Sequence, residues 1–354
     1  RSQSPLTDRL VSRMARIDQR ALKRVGQGGA LLVVLALTLT GCGPEPQSAM
    51  LPASDFAQAL QDLFSNIFWW AVGVFVVVEG ALIYALVKFR DRPENEEAAQ
   101  FHGHTLLEIA WTLAPALILV AIFIPTAQLI FEVDQPPENA DEAVQVQVVG
   151  NQWWWRFNYP ELGITTANEM HLPVDRQVEL ELTSNDVIHS YWVPRLGGKR
   201  DVFPGRNTYL WFTPDSTGTY VGACAEYCGT SHALMKTRVV VQDSADFQQW
   251  VERQKQPAEA PTDSLAQAGR DVFMRVCIAC HTVEGTPAQS EIGPALTHVD
   301  SRQTIAAGIL ENTPENMARW LRHPQQVKPG NKMQIPQLSE DQIEALVAYM
   351  ETLD

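Results

Sequence analysis

Cys224-Ala-Glu-Tyr-Cys228-Gly-Thr-Ser-His232-Ala-Leu-Met235 places two thiols, an imidazole and a thioether on one short stretch of chain. Soft sulfur donors mixed with imidazole select copper among the first-row metals. A second cluster, Cys277-Ile-Ala-Cys280-His281, has the Cys-x-x-Cys-His spacing by which a c-type haem is covalently attached. Two one-electron centres on one chain point to electron transfer.

A mononuclear blue-copper site needs one Cys, two His and a weak axial Met. Here a second Cys stands four positions beyond the first. Two thiolates at that spacing can bridge a pair of copper ions, and sharing one electron over two metals keeps reorganisation small. The second imidazole must come from elsewhere. His189, in Asn185-Asp-Val-Ile-His-Ser-Tyr-Trp-Val-Pro, is the candidate. A Cys2His2 zinc site is the rival, and Met235 argues against it, because zinc sites use Cys, His and carboxylate. A Cys224–Cys228 disulfide would leave His232 and Met235 unexplained.

All five cysteines have a role on this reading, and none remains for a structural disulfide. At 354 residues the chain is long enough for two or more domains. The net charge of −14 argues against a nucleic-acid partner. An acidic surface would instead steer a basic redox partner.

Arg9, Arg13, Arg16, Arg20, Lys23 and Arg24 precede the apolar run that starts at Ala30, the layout of an export signal. The run ends Leu39-Thr40-Gly41-Cys42, which resembles a bacterial lipoprotein signal and marks Cys42 for lipidation. Two apolar stretches, about 64–87 and 106–131, reach the roughly 20 residues that cross a bilayer. Trp69, Trp70 and Trp111 lie toward their ends, as interfacial anchors do. Lys88, Arg90 and Arg92 put the connecting loop in the cytoplasm. Everything after the second span is then outside. Glu108 lies near the cytoplasmic end of that span; it is either an interfacial residue or part of a proton route.

From Val144 the pattern alternates: Val144, Val146 and Val148 with Gln, then Val178, Leu180 and Leu182 with Glu. Short alternating strands between Pro and Gly turns predict an antiparallel β-sandwich or barrel. Lys255-Gln-Pro-Ala-Glu-Ala-Pro-Thr262 reads as a semi-rigid tether. Asp263 is placed to cap the helix leading to the haem motif. Cys277 and Cys280 would form thioethers and His281 would be the proximal ligand. Met274 shares the attachment helix, and Met317 and Met350 sit in helical stripes. Met333, in the loop Lys328-Pro-Gly-Asn-Lys-Met-Gln-Ile-Pro, is left as the axial candidate. His298 and His323 are alternatives, with a surface role expected for both.

The Cys-x-Glu-x-Cys-Gly-x-x-His-x-x-Met run, His189 and the preceding spans resemble subunit II of haem–copper cytochrome c oxidases over about residues 55–245. That resemblance implies a cupredoxin-like fold and a dinuclear copper A centre. Its ligands would be His189, Cys224, Cys228, His232, Met235 and the backbone carbonyl of Glu226. The Glu226 side chain would help bind magnesium at the interface with catalytic subunit I. Gly150-Asn-Gln-Trp-Trp-Trp-Arg-Phe-Asn-Tyr-Pro resembles the family's aromatic patch, making Trp153 the point where electrons enter. The family usually has Tyr at the next position, where Trp154 stands. A fused haem domain leaves two uses open for Trp153: an internal route or an altered one. Glu108 would sit at the mouth of a proton channel, and Asp201 in a polar network at the subunit interface.

About residues 263–354 resemble class I cytochrome c, with haem c held by Cys277, Cys280, His281 and Met333. Gln334 and Ile335 separate Met333 from Pro336, where the family often has Pro directly. The implied whole is multi-domain. It runs from a signal (1–41) through a transmembrane α-hairpin (42–135), a cupredoxin-like domain (140–250) and a linker (251–262) to an all-α cytochrome c domain (263–354). The resemblance implies the electron-accepting subunit of a caa3-type proton-translocating oxidase of the bacterial plasma membrane. Its partners would be subunit I, membrane lipid, and cytochrome c or the cytochrome bc1 complex as donor. A copper A nitric oxide reductase subunit and a membrane-anchored electron carrier share parts of the pattern. Carriers need neither two spans nor two centres.

Overall fold

The computed structural model describes residues 46–90, 103–136 and 142–354. The stretch read as an export signal, Cys42 and Arg92 lie outside the described residues.

Helix α1 runs Asp55–Lys88 and α2 runs Thr105–Val133. Both are long and apolar enough to cross a bilayer. Large apolar side chains such as Val77, Leu86, Leu117 and Phe123 are exposed along them, which suits contact with lipid chains. Helix α1 begins at Asp55, ahead of the apolar run, because Ser54 caps it, accepting from the Ala57 N–H at 3.1 Å. The Ser54 hydroxyl donates onward to the Leu196 carbonyl at 2.7 Å, and Phe56 packs against the β-domain core. Trp69 and Trp70 therefore stand well inside the helix, near the start of its apolar part. Pro115 and Pro125 sit within α2, as membrane helices tolerate.

Ten strands form two five-stranded sheets: β1 (Val144–Asn151), β2 (Trp154–Tyr159), β3 (Ile164–Ala167), β4 (Glu169–Pro173), β5 (Val178–Ser184), β6 (His189–Trp192), β7 (Arg200–Val202), β8 (Thr208–Phe212), β9 (Gly218–Cys224) and β10 (Lys236–Gln242). The orders are β3-β2-β1-β5-β8 and β4-β10-β9-β6-β7. The pairing is largely antiparallel, with one parallel pair in each sheet, β1–β5 and β10–β4. Val146, Val148, Val178, Leu180 and Leu182 are all buried between the sheets, as their alternation requires. Helix α3 (Ser244–Gln254) closes one edge, with Trp250 against Tyr159 and stacked on His171 at 4.5 Å.

The proposed linker boundary at residue 251 shifts. Residues 251–254 belong to α3, and Val251 is buried in the β-domain core. The remaining tether lies along the next domain, where Ala258 N–H donates to Glu284 O at 3.0 Å.

The C-terminal domain is helical: α4 (Ser264–Val276), α5 (Pro314–Arg322), α6 (Pro324–Val327) and α7 (Glu340–Met350). A hairpin of two-residue strands, β11 (Thr304–Ile305) and β12 (Leu310–Glu311), is added. Asp263 caps α4 as predicted, accepting from Leu265 N–H at 2.7 Å and Ala266 N–H at 3.1 Å. Helices α4 and α7 cross at Gly269, with Phe273 and Tyr349 in ring contact at 5.5 Å.

Candidate metal centres

His189 opens β6 (His189–Trp192), Cys224 ends β9 (Gly218–Cys224), and Cys228 and His232 follow on the adjoining loop. Pairing of Tyr191 with Cys224 in the sheet brings these separated residues together. Cys224 Sγ and Cys228 Sγ lie 3.7 Å apart, both as free thiols. His189 Nδ1 is 3.9 Å from Cys224 Sγ, and His232 Nδ1 is 3.7 Å from Cys228 Sγ. Met235 Sδ lies 3.9 Å from Cys228 Sγ, and the Glu226 carbonyl oxygen 3.2 Å from Cys224 Sγ. Each sulfur thus has one imidazole beside it and one weak donor, thioether or carbonyl. Two thiols this close, with two imidazoles at the ends, fit a pair of soft metal ions. All six predicted donors converge.

The electrostatics favour releasing one proton readily. Cys224 is drawn well below the ordinary thiol range, chiefly by its hydrogen-bonding contact with Cys228, with burial opposing and His189 assisting. Cys228 is pushed up correspondingly. A bound cation would displace the second proton.

Sequence reasoning missed the residue behind His189. Asp186 Oδ1 is 2.8 Å from His189 Nε2, which turns Nδ1 toward the sulfurs. Burial opposes the Asp186 charge, yet hydrogen bonds from His189, the Gln152 N–H and the Val187 N–H hold its pKa down to about 2. Its position three residues before His189 was the available signal. Trp153 is buried, and its indole N–H donates to the Cys228 carbonyl at 3.0 Å. Gln152, also missed, donates its side-chain amide to the same oxygen at 2.8 Å.

The Glu226 side chain is exposed. Among the described residues, the one close group of three His, Cys, Asp or Glu side chains is His189, Cys224 and Cys228. Glu108 is exposed in the first turn of α2, and Asp201 is exposed on β7 (Arg200–Val202).

At the second centre, Cys277 and Cys280 are free thiols at the end of α4. Burial, then the neighbouring Cys280, pushes the Cys277 thiol up to about 11. His281 Nδ1 lies 2.8 Å from the Pro294 carbonyl oxygen, leaving Nε2 for a metal. Burial lowers the His281 pKa, against that hydrogen bond, and keeps the ring neutral. Met333 is half-buried in the loop between α6 and α7, while Met317 and Met350 are packed within α5 and α7. Asn331 shapes that loop, accepting from the Met333 N–H at 2.8 Å and donating to Pro324 and Lys328 carbonyls. These donors fit a covalently held haem. His298 corrects expectation: it is buried, with Nδ1 2.8 Å from Asp354 O and Nε2 3.2 Å from Gln254 O. His323 is exposed, as expected.

Comparison with known proteins identifies relatives of each part of the chain. The transmembrane domain of cytochrome c oxidase subunit II matches residues 47–129, its periplasmic domain 163–243, and cytochrome c 266–354. Cytochrome c oxidase subunit 2 of Alkalihalophilus pseudofirmus is 41% identical, covering 91% of this chain and 95% of that one. The same subunit of Bacillus sp. strain PS3 is 37% identical, covering 92% and 96%. The periplasmic domain of subunit II of cytochrome oxidase from Bradyrhizobium japonicum is 31% identical, with a TM-score of 0.33, covering 34% of this chain and 97% of that one. With relatives of this identity matched along nearly their whole length, the chain belongs to the cytochrome c oxidase subunit II family and carries a cytochrome c domain at its C-terminal end.

Proposed function

We propose that the chain receives electrons at its cytochrome c domain and delivers them through its β-domain to the oxygen-reducing subunit I, at the outer face of a bacterial plasma membrane. The observation that carries this reading is the pair of unbonded sulfurs 3.7 Å apart, each flanked by an imidazole Nδ1 within 3.9 Å. When bound, a copper pair and a haem c supply one-electron storage at these two places, and oxygen becomes water elsewhere in the complex.

The chain's own residues hold and tune these groups. Cys224, Cys228, His189 and His232 would hold the copper pair, with Met235 and the Glu226 carbonyl as weaker donors. Asp186 orients His189. Trp153 sits directly on the Cys228 carbonyl and is the aromatic path toward the copper ligands. Cys277 and Cys280 would anchor a haem covalently, and His281 and Met333 would be its protein ligands. The exposed Glu226 carboxylate offers one ligand to a magnesium ion shared with subunit I. Glu108 stands at the mouth of a proton channel completed by that subunit, and the donor is cytochrome c or the cytochrome bc1 complex.

Metal and haem analysis of the purified chain, with electron paramagnetic resonance, tests the reading. The expected result is a copper pair sharing one unpaired spin plus one covalent haem. Cys224→Ser should abolish the shared-spin signal and the oxidation of reduced donor by the complex. Zinc in place of copper, or full oxygen reduction by that variant, would overturn it.

A further inference from the structure

The β-domain and the cytochrome domain meet through a built contact that no metal chemistry requires. Glu169, on β4 (Glu169–Pro173), is 2% exposed and points its carboxylate at the cytochrome domain. Its Oε2 accepts from the Gln303 N–H at 2.9 Å; its Oε1 accepts from the Thr304 N–H at 2.8 Å and the Thr304 hydroxyl at 2.7 Å. A buried carboxylate is costly unless its oxygens are filled, and here all three donors come from the other domain.

A second buried charge reaches the opposite way. Lys328 is 3% exposed, and its ammonium donates to the Trp153 carbonyl at 2.6 Å and to the Ala306 carbonyl at 3.1 Å. Ala306 and Ala307 both have positive φ, 55° and 64°. Side-chain-bearing residues hold that conformation when their surroundings determine it. The Ala307 carbonyl accepts from the Lys236 N–H of the β-domain at 3.1 Å.

Trp153 lies at the centre. A Cβ on Gly229 would come within 3.0 Å of its ring from the copper loop, and one on Gly330 within 3.3 Å from the cytochrome loop. Both glycines have positive φ, 114° and 77°, so each loop lays bare backbone against one indole. Lys332, next to Met333, reaches Asp186 at 3.3 Å, and Asp186 holds His189.

We infer that the β-domain carries a fixed socket for the chain's own cytochrome domain, with Glu169 and Lys328 as its positioning residues, and that this socket seals Trp153 from any external protein donor. The inference rests on the role proposed above for Trp153 as the aromatic path to the copper ligands. Electrons from outside must then arrive through the cytochrome domain, and the tether sets the order of domains rather than a range of motion.

Hydroxyl-radical footprinting and amide hydrogen exchange of the full haem-loaded chain, read by mass spectrometry, test the socket. In the wild-type chain Trp153 should be labelled far more slowly than its half-buried neighbour Trp154, and the Gln303 and Thr304 amides should be protected. Glu169→Ala, or Lys328→Met from the other side, should raise Trp153 labelling and exchange of those amides about tenfold or more. The copper-ligand peptides should stay unchanged. Two variants from separate domains guard against one failing to fold. Wild-type labelling of Trp153 as fast as Trp154, or no change in either folded variant, would overturn the socket while leaving the copper assignment standing. Protection at Trp153 in a chain that holds no copper would sustain the socket and sink the proposed electron path instead.

Discussion

Asp186 and His189 share a hydrogen bond of 2.8 Å on the side of the imidazole away from the sulfurs. That bond settles which ring nitrogen faces Cys224. Partners behind a metal-ligating histidine fix its tautomer and raise its basicity, and losing one costs about 10–100-fold in metal affinity. Asp186→Ala is therefore expected to weaken copper binding by that order, measured by competition with a chelator, while the sheets remain folded. Unchanged affinity would remove Asp186 from the site.

Gly269 is where α4 and α7 touch. A Cβ there would lie 1.8 Å from the Ala345 carbonyl oxygen and 2.9 Å from Tyr349 Cβ, and backbone cannot step aside as a long side chain can. Gly269→Ala should destabilise the cytochrome domain by about 1–3 kcal/mol or more. The loss should show in thermal melting followed by haem absorbance, and leave the β-domain transition in place.

Gly293 presses on the His281 imidazole in the same way, its added Cβ falling 2.8 Å from His281 Cε1. Gly293→Ala should displace the ring from its Pro294 hydrogen bond. The visible spectrum of the haem is the readout, with a weakened or exchanged proximal ligand expected in the variant.

His171 stacks on Trp250 and fastens α3 to the sheet. Burial lowers its pKa below 6.5, outweighing the help of its hydrogen bond with Gln242. The folded chain prefers the neutral ring, so protons favour unfolding. Stability from this group is complete above pH 6.5 and is lost as the pH falls below it. The melting temperature of the β-domain should drop more steeply between pH 7 and 5 in the wild-type chain than in His171→Phe (about one proton's worth of slope). Parallel pH curves would contradict the assignment.

Much of the architecture was legible because it depends on local spacing. Alternation at Val144–Val148 and Val178–Leu182 named strands whose inward residues are indeed buried, since side chains repeat every second position. Asp263 was readable as a cap because the helix N–H groups it serves are two and three residues away. The start of α1 at Asp55 was not legible from hydropathy, because the helix continues out of its apolar part into contact with the β-domain. His298 looked like a surface residue, since the Gln254 and Asp354 carbonyls that hold it lie 44 and 56 positions away.

The sequence by itself determined which donors are on offer: two thiols, an imidazole and a thioether stand at fixed spacings on one stretch, and Cys-x-x-Cys-His on another. It also determined the elements, because hydrophobic period and capping act over a few residues. Only the tertiary structure decided which groups stand behind those ligands. Asp186, Lys328 and Glu169 are ordinary charged letters in a linear chain. They acquire meaning because folding buries them, and a buried charge must find its partners wherever the backbone of another element supplies them.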